Sequence, residues 1–135
     1  QMRTIICLDA RGGISFGGRR LSRDRALVDY LCEKYGRIAV SPYSAPLFKG
    51  HDVEVSDDPT SSALETNFVE DAEIRLDLPE PDEVVVCRWN REYPSDRKVT
   101  VSTAWQPVST EEIKGSSHDR ITITTYRCSA AESSK

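Results

Sequence analysis

The chain has 135 residues, 38% hydrophobic and 30% charged, with a formal net charge of −4, enough for one domain with its own core and no disulfide or metal support. No apolar run approaches the roughly 20 residues that span a bilayer and no basic-then-apolar leader opens the chain, so no membrane association is expected and a cytoplasmic location is. The charge is partitioned, with nine Lys/Arg against four Asp/Glu in residues 1–49, one against twelve in 50–83 and eight against six in 84–135; so acidic a middle argues against a nucleic-acid surface, which needs a broad basic face.

Arg3 to Asp9 (RTIICLD) reads as a buried first strand. Ala10 to Gly18 holds four glycines and is expected to be a loop. Ser22 is a good N-cap, and Ala26, Leu27, Tyr30 and Leu31 recur at helical spacing behind it, predicting a helix from about Arg23 to Lys34 that Gly36 ends. Arg37 to Val40 reads as a second strand. Pro42 and Pro46 then allow only a short helical turn. Residues 50–66 are polar and acidic, with a brief strand at Asp52 to Val55, and are expected to be the most mobile part. Asn67 to Glu70 suits a strand, and after Pro79 and Pro81 the run Glu83 to Trp89 (EVVVCRW) is the strongest central-strand signal. Lys98 to Val101 and Ile121 to Cys128 alternate in period two and are rich in β-branched residues, as half-buried antiparallel strands are. Trp105 to Val108 suits a further short strand, and residues 129–135 read as a disordered tail.

The four cysteines, Cys7, Cys32, Cys87 and Cys128, form no C-x-x-C pair, and free buried thiols are expected. Two histidines, His51 and His118, do not make a histidine-rich metal centre, and no H-x-H-x-D-H run is present, so no metal site is expected.

The order of these elements resembles dihydrofolate reductase over nearly the whole chain. That family opens with a strand, a glycine-containing loop and a Leu-Pro-x-Asp-like helix start, which look like Ile5 to Asp9, Gly12-Gly13-Ile14 and Leu21-Ser22-Arg23-Asp24. Its late Leu-Thr-x-Ile-Asp-like strand and following Phe-Pro look like Val86-Cys87-Arg88-Trp89-Asn90 and Tyr93-Pro94. Its ending looks like Trp105, then Gly115 to Asp119, then Ile121 to Arg127. The resemblance implies an α/β fold, a dihydrofolate reductase-like mixed sheet with a parallel core and antiparallel C-terminal strands, flanked by few helices. It would form a single domain over residues 1–128.

The departures bear on the cofactor. The reductases grip NADPH through a Gly-Arg-x-Thr step after the second strand and a Gly-Gly pair before a later helix. Here those positions read Ser41-Pro42-Tyr43-Ser44 and Phe68-Val69-Glu70-Asp71. A carboxylate pair there would repel diphosphate by about 1 kcal/mol or more per close contact. Arg19-Arg20 also replaces the Pro-Trp that precedes the helix in the family. Conventional NADPH binding is therefore not expected, and no other cofactor is implied.

Asp24 falls where the family holds its pterin ring with an acid, the one candidate for a catalytic role. Equally, an Asp in the first helical turn suits the macrodipole and, amid four arginines, would serve as a salt-bridge hub. Cys87 falls where the family places a threonine beside that acid, so its sulfur is expected within a few ångströms of the Asp24 carboxylate, although a core thiol is the plainer reading. Arg19, Arg20, Arg23 and Arg25 suit a phosphate or carboxylate clamp, or else a solvated face paired with the acidic segment. Trp89 suits either a cleft wall or core packing. Ser116-Ser117-His118-Asp119 holds the residue types of a hydrolytic triad, but consecutive residues do not form one; a self-bonded loop is expected, with His118 a polar group beside the cleft.

Two classes of function follow: a domain that binds a small anionic or nucleotide-like ligand at the loop–helix junction around Asp24, with Cys87 and Trp89 as walls, or a non-catalytic interaction domain that uses the acidic 50–83 segment against a protein partner. A genuine reductase is a third.

Overall fold

The structure, a computed structural model, describes residues 2–70, 81–101 and 103–128. In chain order these form strands β1 (Arg3–Leu8), β2 (Gly13–Phe16) and β3 (Arg19–Arg20), helix α1 (Arg25–Tyr35), and strand β4 (Ile38–Val40). A 3-10 turn at Ala45–Phe48, strand β5 (Val53–Val55), a second 3-10 turn at Pro59–Ser61 and strand β6 (Thr66–Phe68) follow. Strands β7 (Glu83–Arg88), β8 (Arg97–Lys98), β9 (Trp105–Ile113) and β10 (Ile121–Cys128) complete the chain. The expected tail at 129–135, and the part of the acidic segment at 71–80 with Pro79, lie outside the described residues.

Seven strands form one sheet in the order β5-β4-β6-β1-β7-β10-β9, and β3-β2-β8 form a small second sheet. The first five strands of the large sheet run parallel; β10 pairs antiparallel with β7, and β9 antiparallel with β10. Strands β1 and β7 lie centrally and are covered on both faces, so apolar residues occupy successive positions rather than alternate ones. Ile5, Val85, Cys87, Ile121 and Ile123 point to one face, packed against Leu27, Val28 and Leu31 of α1 and against Phe48 and Trp89. Ile6, Leu8, Val84 and Val86 point to the other, where Ile14 and Trp105 cover them.

Three expectations are corrected. The helix starts at Arg25 rather than Arg23 and its N-cap is Asp24, not Ser22, because the Asp24 carboxylate accepts the Leu27 amide at 3.2 Å while the Ser22 hydroxyl is turned toward His118. The glycine-rich stretch is not all loop: Phe16 pairs with Arg19 across Gly17 and Gly18, whose φ values of 61° and 76° form a two-residue hairpin turn. The strand expected at Trp105 to Val108 runs on to Ile113 as the sheet edge, whereas that expected at Lys98 to Val101 shrinks to Arg97–Lys98. Gly36 ends α1 at φ 76° as expected.

Candidate functional site

Asp24 sits where α1 begins, beside the loop joining β9 to β10, and is only 3% exposed. Its Oδ1 accepts the amides of Leu27 at 3.2 Å and Ser116 at 2.8 Å. Its Oδ2 accepts the Ser117 amide at 2.7 Å and faces His118 Nδ1 at 2.9 Å. Burial opposes ionisation most strongly of any single influence, but the bonds from Ser116, His118, Ser117 and Leu27 together outweigh it and hold the carboxyl below its ordinary value. Gly115 makes this closeness possible: a Cβ there would lie 2.6 Å from Asp24 Oδ2 and 2.7 Å from the His118 carbonyl. The loop residues thus take up the acceptor capacity of the carboxylate.

The chain of contacts continues beyond the carboxylate. His118, 4% exposed, stacks on the Trp89 ring at 4.6 Å between centroids. Because an ionised carboxylate only accepts, Nδ1 carries the proton toward Asp24, and the lone pair of the uncharged ring form is on Nε2. Two hydroxyls reach that atom, Ser22 Oγ at 3.0 Å and Tyr93 Oη at 2.9 Å, and the tyrosine also reaches Ser22 Oγ at 3.4 Å. Tyr93 is itself placed by Asp9, whose buried carboxylate accepts the amides of Tyr93, Gly13 and Arg11 at 3.0, 2.7 and 2.8 Å.

None of the four arginines pairs with Asp24. Arg20 grips Glu70 with Nε and Nη2 at 2.9 and 3.0 Å and lies over the Tyr43 ring at 4.3 Å. Arg25 pairs with Asp29 at 3.0 Å and donates to the Lys49 carbonyl at 2.6 Å. The exposed guanidinium groups of Arg19 and Arg23 have no acidic or hydrogen-bonding partner among the described residues. They flank an open pocket of about 440 Å³ with Arg20, Ser22 and Tyr43. Arg23 also lines an adjoining groove of about 340 Å³ with Arg25, Lys49, Ser116 and Ser117. Between helix and sheet, Arg20, Asp24, Leu27, Phe68, Glu70 and Trp89 enclose a third space of about 20 Å³.

No family model matches the sequence, and no curated protein matches it. Among solved structures, the chain superimposes on dihydrofolate reductase from Enterococcus faecalis complexed with NADP(H) and RAB-propyl, at a TM-score of 0.63 and 12% identity, over 95% of this chain and 96% of that one. This chain has the dihydrofolate reductase fold. At that identity the match speaks for the architecture alone, and the strand order agrees with the α/β mixed sheet expected from the motif order.

Within this reductase fold the residues singled out in the sequence fall into three groups. Asp24 and Trp89 meet at His118. Arg19, Arg20 and Arg23 line one pocket, with Arg25 in the adjoining groove. Cys87 is fully buried in the helix-side core, opposite Cys7 in the pairing of β7 with β1, and is not among the hydrogen-bonding partners of Asp24. It is Cys7 that lines the space between helix and sheet, its thiol pushed well up by the Cys87 contact and by burial, so it stays protonated. The segments expected to lack the dinucleotide grip are tied together, Ser44 Oγ donating to Glu70 Oε1 at 2.6 Å. Glu70 is thus paired with Arg20 rather than presented as a bare charge. No cluster of three or more His, Cys, Asp or Glu suited to a metal occurs among the described residues.

Ser22, Tyr93 and His118 as one constellation were not visible in the sequence. Ser22 lies 96 positions from His118, and no local spacing rule links groups that only the fold brings together.

Proposed function

We propose that this reductase-fold domain binds a small anion, a phosphate or carboxylate, between Arg19 and Arg23, and that it does not use NADPH in the conventional way. The observation that carries this reading is the pair of guanidinium groups, without a partner among the described residues, that flank the 440 Å³ pocket. Its lining among the described residues includes three arginines and no acid, and Glu70 is paired with Arg20. Guanidinium forks match phosphate and carboxylate oxygens in pairs, so this chemistry favours a compact anion.

The role of Asp24 in this reading is to hold the 115–118 loop against α1 rather than to grip a ring. Its oxygens are already engaged, and the neighbouring space of about 20 Å³ has room for a water molecule rather than a pteridine. The Arg20–Glu70–Ser44 cluster, which ties together the two segments that depart from the reductase pattern, supports the same reading.

A thermal-shift series at low ionic strength tests the proposal with inorganic phosphate, pyrophosphate, succinate, dihydrofolate and NADPH. An anion at 100 times its dissociation constant adds about 2.7 kcal/mol. The stabilisation should vanish in the Arg19→Ala/Arg23→Ala double variant, persist in Arg25→Ala and weaken with salt, since these charges are exposed. Stabilisation by NADPH and by none of the small anions would overturn it.

A further inference from the structure

The anion pocket has a hydroxyl in its wall, and that hydroxyl is wired to a buried carboxylate. Ser22 lines the pocket with Arg19 and Arg23. Its Oγ lies 3.0 Å from His118 Nε2, and His118 Nδ1 lies 2.9 Å from Asp24 Oδ2. Both distances fall within hydrogen-bond reach, and the order serine hydroxyl, imidazole, buried carboxylate is the one in which a serine becomes a nucleophile. The carboxylate fixes the tautomer, the Trp89 ring fixes the imidazole plane, and the loop amides fix the carboxylate. Ser22 is half-buried and lines the pocket, whereas His118 and Asp24 are buried.

We propose that Ser22, His118 and Asp24 form a nucleophilic relay that hydrolyses a small ester whose acyl part carries an anionic group, read by Arg19 and Arg23. This inference rests on the anion site proposed above. Ser22 Oγ attacks the ester carbonyl carbon while its proton passes to His118 Nε2. The tetrahedral intermediate collapses, the carbon–alkoxide bond breaks, and the departing alkoxide takes the proton from Nε2. Water then attacks the acyl-serine, giving a proton to Nε2, and Ser22 Oγ leaves with that proton. The balance is ester plus water to acid plus alcohol. Arg23, next to Ser22 in the chain, is the cation nearest in sequence to the developing oxyanion. Nε2 accepts one hydroxyl at a time, and when Tyr93 donates to the Ser22 oxygen at 3.4 Å the Ser22 hydroxyl is left to donate to Nε2.

The test uses mono-4-nitrophenyl succinate as anionic ester, 4-nitrophenyl acetate as its neutral counterpart, and a fluorophosphonate as a serine-directed label followed by intact mass and peptide mapping. The parent should release nitrophenolate from the succinate ester faster than from the acetate and be labelled once, at Ser22. Ser22→Ala removes one half-buried hydroxyl and should fold; its rate should drop to background and the label should disappear. His118→Gln should lose about 10²- to 10⁴-fold, the span of general-base catalysis. Arg23→Ala should lose the preference for the succinate ester over the acetate. Succinate binding in thermal shift is followed in parallel. If succinate binds the parent and Ser22→Ala alike while Ser22 takes no label and Ser22→Ala hydrolyses as fast as the parent, the relay is overturned and the anion site stands. If succinate does not bind and neither ester turns over, both fall.

Discussion

Asp24 shows how a buried charge is made tolerable. An isolated carboxylate at 3% exposure would be costly, but three backbone amides and an imidazole supply its hydrogen bonds. Asp9 repeats the device with three amides and is 1% exposed. For each, burial raises the pKa most and the hydrogen bonds lower it more, leaving both below the ordinary 3.8. A carboxyl with a lowered folded pKa stabilises the fold above its unfolded value, and that contribution is lost as pH falls through the folded one. Urea unfolding should therefore show stability falling from pH 5 to pH 3, with a shallower fall in Asp9→Asn/Asp24→Asn. Gly115→Ala should cost about 1–3 kcal/mol in the same assay, because its Cβ would meet Asp24 Oδ2 and the His118 carbonyl below 3.0 Å. Asp24 as a special residue was legible from its place in the motif order. Its partners were not, because Ser116 and Ser117 act through backbone amides, which any residue except proline provides.

At the scale of elements, α1 forms because Leu27, Val28 and Leu31 share one face against the sheet and Gly36 permits the positive φ that ends it. Leu31 is fully buried, so Leu31→Ala should lower unfolding stability by about 2–5 kcal/mol in denaturant titration. The apolar runs of β1 and β7 and the period-two pattern of β10 made these strands readable in advance. Two elements were masked by composition. Gly17-Gly18 is a recognised hairpin dipeptide, but four glycines between Ala10 and Gly18 gave the whole stretch the look of a loop. Strand β9 lies at the sheet edge with Gln106 to Glu112 exposed, so neither face demands apolar residues and the alternation that marks a half-buried strand is missing.

Across the whole molecule, the charge partition along the sequence is partly resolved into local pairs. Within the described part of the acidic segment, Asp52 pairs with Arg37, Glu54 accepts from Ser62, Asp58 accepts from Thr60 and Ser61, and Glu70 holds Arg20. These acids are spent on their own surroundings, and none of them faces Arg19 or Arg23. The order of motifs carried the reductase fold through a chain that is 12% identical to the Enterococcus faecalis enzyme, since a sheet with five parallel strands and an antiparallel end depends on pattern more than on residue identity. The central claim is that ligand chemistry in this fold has moved from the carboxylate to the arginines beside it. An amide NMR titration of the labelled protein, first with pyrophosphate and then with dihydrofolate, tests it most directly. Pyrophosphate should shift residues 19–23 and Tyr43 alone, and neither ligand should move the Ser116 and Ser117 amides. Displacement of those two amides by dihydrofolate would mean that the ring binds at Asp24 after all, and would contradict the account.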